Sequence, residues 1–450
     1  MTAKLNVIGG GLAGCEAAWA AANLGVEVIL HEMRPLTRTE AHETGLLAEL
    51  VCSNSLKSLK LSTASGILKE ELNRLGSLVI SSAYKCTVAA GDALAVDRHL
   101  FAQEVTERLT NHPGITLVRD EVTELAGLEP VVVAAGPLAS EGLCRALAAR
   151  FLKDVLLKYR RLSFLSFYDA ISPIVAAESL AESKTFRASR YKEGEGDYIN
   201  CPMTPEEYGN LVTQLRTGQV QPLRPFEKPN YFQGCLPIEE LARRGDDAMR
   251  FGPLKPVGLK DPRTSKRPYA VVQLRVENKA GTMYNMVGFQ TRLKWGEQKR
   301  ILRLIPGLEK AEFLRYGQVH RNTFINAPLL LKPTLQLKDN PEIFVAGQLV
   351  GVEGYVESAA CGLLAGINAA RLISGQPLLV PPQQTCLGAL VSYITQAKIE
   401  DFQPMNVNLG LLPPLEVRVK GRLQRKLKLA DRALAAMDGW RESCLGWPSQ

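Results

Sequence analysis

Lys4-Leu5-Asn6-Val7-Ile8-Gly9-Gly10-Gly11-Leu12-Ala13-Gly14-Cys15-Glu16, running on to Val28-Ile29-Leu30-His31-Glu32, is the stretch whose reading decides the fold. Leu5, Val7 and Ile8 read as a short buried strand. The alanine-rich run from Cys15 to Leu24 reads as a helix, and Val26 to Leu30 as a second strand ending at Glu32. Gly9 permits the tight turn out of the strand, Gly11 lets backbone N–H groups approach a pyrophosphate, and Gly14 lets helix and strand pack closely. The helix start supplies partial positive charge, and Glu32 is placed to accept hydrogen bonds from a ribose. A lone GxGxxG is a weak signal. Here strand, glycines, helix, strand and acid fall in order, so Gly9, Gly10, Gly11, Leu12, Ala13, Gly14 and Glu32 are read as a dinucleotide cradle.

Working outward, Pro130-Val-Val-Val-Ala-Ala-Gly136 is an apolar run expected to be another central parallel strand, its carboxyl end at the cofactor. Far down the chain the pattern resumes. Ile343 to Gln348 reads as a strand, Gly351-Val-Glu-Gly354 as a glycine loop, and Val356 to Leu372 as an alanine-rich helix. A plain NAD dehydrogenase needs one such unit, whereas a second unit far from the first favours a two-segment FAD fold. Gly347, Gln348, Glu353, Gly354 and Tyr355 are its candidate cofactor contacts. Between the segments, prolines and aromatics increase and stretches such as Tyr269–Val276 look antiparallel. The expected architecture is therefore α/β: a two-segment Rossmann-like FAD-binding domain (1–150 and 331–380), an inserted α+β substrate domain (151–330), and a helical basic C-terminal region (381–450).

Composition narrows the class. A hydrophobic share of 46% with 22% charged residues argues against disorder. No apolar run approaches the ~18–20 residues a membrane span needs, and Met1-Thr-Ala-Lys-Leu leads straight into the first strand, so a cytoplasmic protein without a signal peptide is expected. The nine cysteines lie far apart, Cys361 and Cys386 being the nearest pair. That spacing excludes CxxC redox and zinc-ribbon motifs and favours reduced thiols. No histidine–carboxylate pair has metal spacing. His320 is expected in a polar loop suited to a site. The net charge of +8 is concentrated in three stretches: Arg263, Lys266, Arg267 and Arg275; Arg292, Lys294, Lys299, Arg300 and Arg303; and Arg418 to Arg432, which includes Arg422, Arg425 and Lys426. Such stretches fit solvated helix faces or a phosphate-rich partner.

Two cysteines sit in loops where a thiol can reach a ligand. Cys52 begins Cys-Ser-Asn-Ser-Leu-Lys-Ser58, and Cys235 lies in Gly-Cys-Leu-Pro-Ile-Glu239. Cys15 and Cys361, on alanine-rich helices beside the cofactor turns, read as small packing residues.

Taken together, these motifs resemble the TrmFO/Gid family of folate- and FAD-dependent tRNA (uracil-5-)-methyltransferases. The resemblance is carried by Val-Ile-Gly-Gly-Gly-Leu-Ala-Gly-Cys-Glu-Ala, Leu-Val-Cys-Ser-Asn-Ser-Leu-Lys-Ser, Ala-Gly-Asp-Ala-Leu-Ala-Val-Asp-Arg and Gly-Cys-Leu-Pro-Ile-Glu. Arg-Phe-Gly-Pro-Leu-Lys-Pro-Val-Gly-Leu and Gly-Val-Glu-Gly-Tyr-Val-Glu-Ser-Ala-Ala add to it. It covers the chain to about residue 400. Gln233 departs from it, standing where the family pattern has an acid before Gly-Cys. The resemblance implies C5-methylation of the T-loop uridine of tRNA. The carbon would come from 5,10-methylenetetrahydrofolate, the electrons from reduced FAD, and NADH or NADPH would recharge the flavin. By motif match Cys235 would be the thiolate that adds to the uracil ring. Cys52 would be a second thiol, assisting at the methylene or taking the C5 proton. The basic stretches 263–303 and 418–432, with Arg422, Arg425 and Lys426, would then contact tRNA phosphates. A related flavoprotein that modifies wobble uridines and a non-catalytic RNA-binding flavoprotein are the rival readings.

Overall fold

The structure is a computed structural model that describes residues 4–39, 41–151, 164–192, 194, 196–221 and 236–445. Cys235 and Gln233 lie outside the described residues. Five parallel strands form the first sheet, in the order Ile343–Val345, Val131–Val133, Leu5–Ile8, Val28–His31, Ile115–Val118. Their registers run Ile343↔Val131, Asn6↔Val131, Leu5↔Val28 and Val28↔Ile115. The strands are short and almost wholly apolar because both faces of a parallel sheet are covered. The strand from the far end of the chain therefore completes the sheet begun at the start, as the two-segment reading expects.

Helix Leu12–Asn23 follows the first strand and helix Tyr355–Ile373 follows the last. They pack backbone to backbone: a Cβ on Gly362 would collide with Ala13 O, and one on Gly366 with Ala17 O. Alanine and glycine line both helices because larger residues would force them apart. Tyr355–Ile373 is long and apolar enough to cross a membrane, contrary to the expectation from apolar runs. However, 78% of its most apolar window is buried inside the protein, as befits a core helix.

The inserted part carries a six-stranded sheet, ordered Phe186–Ala188, Tyr198–Met203, Ala270–Val276, Met283–Met286, Ile174–Ala176, Phe313–Arg315. Its pairings are antiparallel, and it has its own core, including Met203, Leu211, Leu274, Met286, Phe289 and Ile301. Helix Pro205–Thr217 closes over that core, opened by a capping box between Thr204 and Glu207. The antiparallel pair Phe164–Ala170 and Val319–Ile325 flanks the insert. His320 falls in this ladder, opposite Asp169, rather than in the expected polar loop, because its neighbours Val319, Thr323, Phe324 and Ile325 favour strand. Helices Cys386–Gln396 and Arg422–Leu445 belong to the first core through Leu387, Leu390, Ala433 and Met437.

Candidate active site

Where the parallel strands end, an open cleft runs between Gly9, Gly11, Glu32, Ala134–Pro137, Gly347, Gln348 and Tyr355. Both helices begin at its edge. Gly11 caps the first and Gly354 the second, and neither N-terminus has a side-chain cap. Uncapped N–H groups and the helix dipole make the Gly11 end an anion site, whereas the buried Glu357 carboxylate stands beside Gly354 at the start of the second helix. The glycines divide by role. A Cβ on Gly9 would come 2.6 Å from Ala134 O, and one on Gly14 would strike Gly9 O, so both are needed for the fold. A Cβ on Gly11 would meet nothing within 4 Å and would project into free space. Gly347 and Gly354 have φ of +77° and +116°, which a side chain tolerates poorly. These features fit a dinucleotide-binding cleft, with Gly11 and Tyr355 both on its wall.

Glu32 is buried and lines the cleft. Its Oε2 accepts from Gly10 N–H at 2.7 Å, and its Oε1 accepts from Arg34 N–H at 2.9 Å and Arg34 Nε at 2.8 Å. Burial alone would raise its pKa, yet the Arg34 guanidinium and the two backbone donors outweigh it and hold the carboxyl below the usual range. The acid expected to meet a ribose thus also fixes the glycine turn. On the second segment Glu353, buried, accepts from Gln348 Nε2 at 2.9 Å and orients that amide at the cleft wall.

Cys52 lies in a loop just before strand Ser55–Ser58. The loop is gripped from three sides. Tyr355 Oη accepts from Cys52 N–H at 2.8 Å and Ser53 N–H at 3.0 Å. Arg98 donates Nη1 to Leu50 O at 2.9 Å and Nε to Glu277 at 3.0 Å. Arg275 donates Nε to Asn54 Oδ1 at 2.8 Å and Nη2 to Ser53 Oγ at 2.7 Å, while Asn54 Nδ2 donates to Val276 O at 2.9 Å. Arg315 adds a third guanidinium, donating to Ala41 O at 3.2 Å and paired with Glu43 at 3.4 Å. Its pKa is pushed down by burial first and by Arg98 second, with Glu43, Tyr355 and Cys52 opposing. The arrangement therefore puts a thiol, a phenol and three cations at the seam between cofactor domain and insert.

Beside this loop, Lys57 pairs with the buried Glu357 at 2.9 Å, tying the same segment to the first turn of helix Tyr355–Ile373. Cys15 and Cys361 are fully buried, and burial pushes both thiols well above their ordinary range, as packing residues require.

Arg275 corrects the reading of the basic stretches. It is 7% exposed and holds the Cys52 loop, so it is not a surface contact for a phosphate. Arg263 is likewise occupied by a bidentate pair with Asp261, at 3.0 and 2.7 Å. Lys266, Arg267, Lys294, Lys299 and Arg300 remain exposed, as do Arg422 and Arg425, with Lys426 half-buried. Arg98, Asn54, Arg275 and Glu277 were missed as site residues. A signal exists: Gln273 and Arg275 alternate on strand Ala270–Val276, and Glu277 follows at the next alternate position just past its end, a polar face that a count of charge overlooks.

A family model described as Glucose inhibited division protein A matches residues 4–377. Methylenetetrahydrofolate–tRNA-(uracil-5-)-methyltransferase TrmFO of Geobacter sulfurreducens is 57% identical over 441 residues, covering 98% of this chain and 99% of that protein. The TrmFO proteins of Moorella thermoacetica and Bacillus subtilis (strain 168) are 55% and 53% identical over 434 and 430 residues, each covering 96% of this chain and 97% of the relative. Among solved structures, GidA of Aquifex aeolicus (form I crystal) superposes with a TM-score of 0.68 at 18% identity, over 96% of this chain and 75% of that one, a likeness of fold.

Proposed function

Because this chain belongs to the glucose-inhibited division protein A family, and within it to TrmFO, we propose that it methylates C5 of the T-loop uridine of tRNA, taking its one-carbon unit from 5,10-methylenetetrahydrofolate. The observation that carries the reading is the bond from Tyr355 to the Cys52 loop, which sets a thiol against the start of the second cofactor helix. FAD fits the cleft through Gly9–Gly14, Glu32, Gly347, Gln348, Glu353, Gly354 and Tyr355. When bound and reduced, by NADH or NADPH, it supplies the electrons that convert a methylene to a methyl group.

The rest is work for the protein's own residues. Uracil C5 is a poor nucleophile until a thiolate adds at C6 and leaves an enolate. Cys235 takes that part in this reading. Cys52, held by its backbone to Tyr355 and flanked by Arg275 on Ser53, assists at the methylene or accepts the C5 proton. The guanidinium groups of Arg98, Arg275 and Arg315 favour negative charge on the enolate oxygen in a site partly shielded from water. The exposed Arg422 and Arg425 and the half-buried Lys426, with the exposed Lys294 and Lys299, position the tRNA by its phosphates without reading bases.

The test is direct. The purified chain should show a flavin spectrum and, with unmodified tRNA, methylenetetrahydrofolate and NAD(P)H, place a methyl on the T-loop uridine. No methyl there, or label arriving from S-adenosylmethionine, overturns the reading. Cys235→Ala should abolish turnover and leave the flavin bound; tRNA binding with no methyl product from the parent would instead mark a non-catalytic RNA-binding flavoprotein.

A further inference from the structure

Three aromatic rings form a ladder on the insert. Phe313 and Tyr316 stack with centroids 5.4 Å apart and planes 16° apart, and Tyr316 and Trp295 with 5.6 Å and 13°. Phe313, at one end, packs against the insert's core. Trp295, at the other, is 54% exposed. The ladder is thus rooted at one end and open at the other. It is also rigid. Gln298, buried on helix Trp295–Leu302, donates to Gly317 O at 2.9 Å and accepts from Gly317 N–H at 2.7 Å, so the helix bearing Trp295 and the turn bearing Tyr316 move together.

Two lysines flank the exposed ring, on a surface that also carries the exposed Leu314 and the Glu297–Arg300 pair. Lys294 precedes Trp295 and reaches the neutral amide oxygen of Gln219 at 3.2 Å. Lys299, one helical turn further along the same face, is exposed and makes no ion pair among the described residues. On the other side of Tyr316, a bulge between Phe313 and Arg315 turns Arg315 inward, to Ala41 O and Glu43 at the edge of the Cys52 site. A second copy of the chain would set lysine against lysine at this patch. A single strand of nucleic acid meets it with bases for the ring and phosphates for the lysines.

We propose that Trp295 is the stacking platform for an unpaired nucleobase of the RNA substrate beside the target uridine, with Lys294 and Lys299 on the adjoining phosphates. The inference rests on the tRNA-methylation reading above.

The test uses the full-length flavoprotein, unmodified tRNA and a T-arm stem–loop RNA, with affinity read by anisotropy and methyl transfer measured in parallel. Trp295→Ala and Trp295→Leu should each lose roughly tenfold or more in affinity, whereas Trp295→Phe keeps most of it. The salt dependence should be unchanged in all three, because the ring carries no charge, and KM should rise with kcat nearly constant. Lys299→Ala should instead lower the salt slope by about one. Parental affinity in Trp295→Ala, or in Trp295→Leu, which keeps apolar bulk without a flat ring, overturns the platform. So does a change of oligomeric state in Trp295→Ala with RNA affinity intact, which would make this face a self-contact. A parent that methylates while its Trp295 variants bind normally sinks the platform alone; a parent that neither binds nor methylates tRNA sinks the reading beneath it as well.

Discussion

Tyr355 Oη accepts hydrogen bonds from the backbone N–H groups of Cys52, at 2.8 Å, and Ser53, at 3.0 Å, across 303 residues of sequence. Tyr355 is the first residue of the helix whose N-terminus faces the cofactor cleft. Burial first, and the Cys52 charge second, push its phenol well above the usual range, so the hydroxyl keeps its proton while its oxygen serves two donors. A position in the second cofactor segment thereby sets the position of a thiol loop encoded near the start of the chain.

Tyr355→Phe removes one acceptor and leaves two N–H groups without it, at roughly 1–3 kcal/mol each where water does not replace it. The expected result is at least a tenfold fall in methyl transfer, since small misplacements of a reacting group are costly, with the flavin spectrum retained. Parental turnover in Tyr355→Phe would show that the bond does not position Cys52.

Gly11 and Gly14 separate cofactor binding from folding. Gly11→Ala adds a methyl into open space, so the protein should fold with the melting temperature of the flavin-free parent and fail to hold flavin, because the methyl occupies the phosphate approach. Gly14→Ala drives a methyl into Gly9 O and should destabilise the fold by several kcal/mol. Visible absorbance and thermal unfolding on the two variants check this; equal behaviour of the pair would refute it.

How far the sequence could be read follows from these same residues. The cradle was legible because strand, glycines and acid lie within one short stretch, and the structure moves the helix start only from Cys15 back to Leu12. Tyr355 is legible as the residue that follows the second glycine loop, and it lines the cleft, but its bond to Cys52 is not legible, since nothing local in either segment points to the other. Arg275, expected among surface cations, is buried. A charge count registers a cation, whereas its partners Asn54 and Ser53 lie more than two hundred residues away. Long-range polar bonds at a domain seam are invisible to periodicity, which reports only one face of one element at a time.

Arg275 gives the next prediction. Arg275→Ala should free the Cys52 loop, raising hydrogen exchange over residues 50–58 and lowering turnover, with little effect on tRNA affinity. Arg275→Lys should not restore it, because one ammonium cannot serve Asn54 and Ser53 with the fixed fork of a guanidinium. Loss of RNA affinity with normal exchange would return Arg275 to the surface role that its burial contradicts.

The C-terminal cations are placed differently. Helix Arg422–Leu445 is anchored by Leu429, Ala433, Met437 and Trp440 and by the Arg74–Asp438 pair at 2.5 Å, all beyond its first turns. Reversing Arg422, Arg425 and Lys426 to Glu should therefore leave the fold intact, weaken tRNA binding and flatten its salt dependence, by about one in slope for each phosphate no longer neutralised. A binding isotherm measured across salt concentrations decides it, and an unchanged slope would remove this helix from the RNA surface.

Two buried carboxylates predict how stability varies with pH. Glu71 accepts from Cys386 N–H at 2.7 Å and Leu387 N–H at 2.9 Å, capping helix Cys386–Gln396. Glu16 accepts from Ser77 and from Val79 N–H at 2.8 Å, at the start of helix Leu78–Lys85. Burial, the largest influence on each, exceeds what these donors return, so Glu71 is pushed up to about 8 and Glu16 to about 7, against 4.5 for an ordinary glutamate. Between 4.5 and those values the unfolded chain binds fewer protons than the folded one, so stability falls as pH rises and levels off above about 8. Glu71→Gln keeps the shape and an acceptor and removes the titration. Its melting temperature relative to the parent should therefore climb as pH is raised from about 5 to about 8.5, while the Glu16 contribution persists in both. Parallel curves for the two proteins across that window would show that Glu71 does not change its charge there.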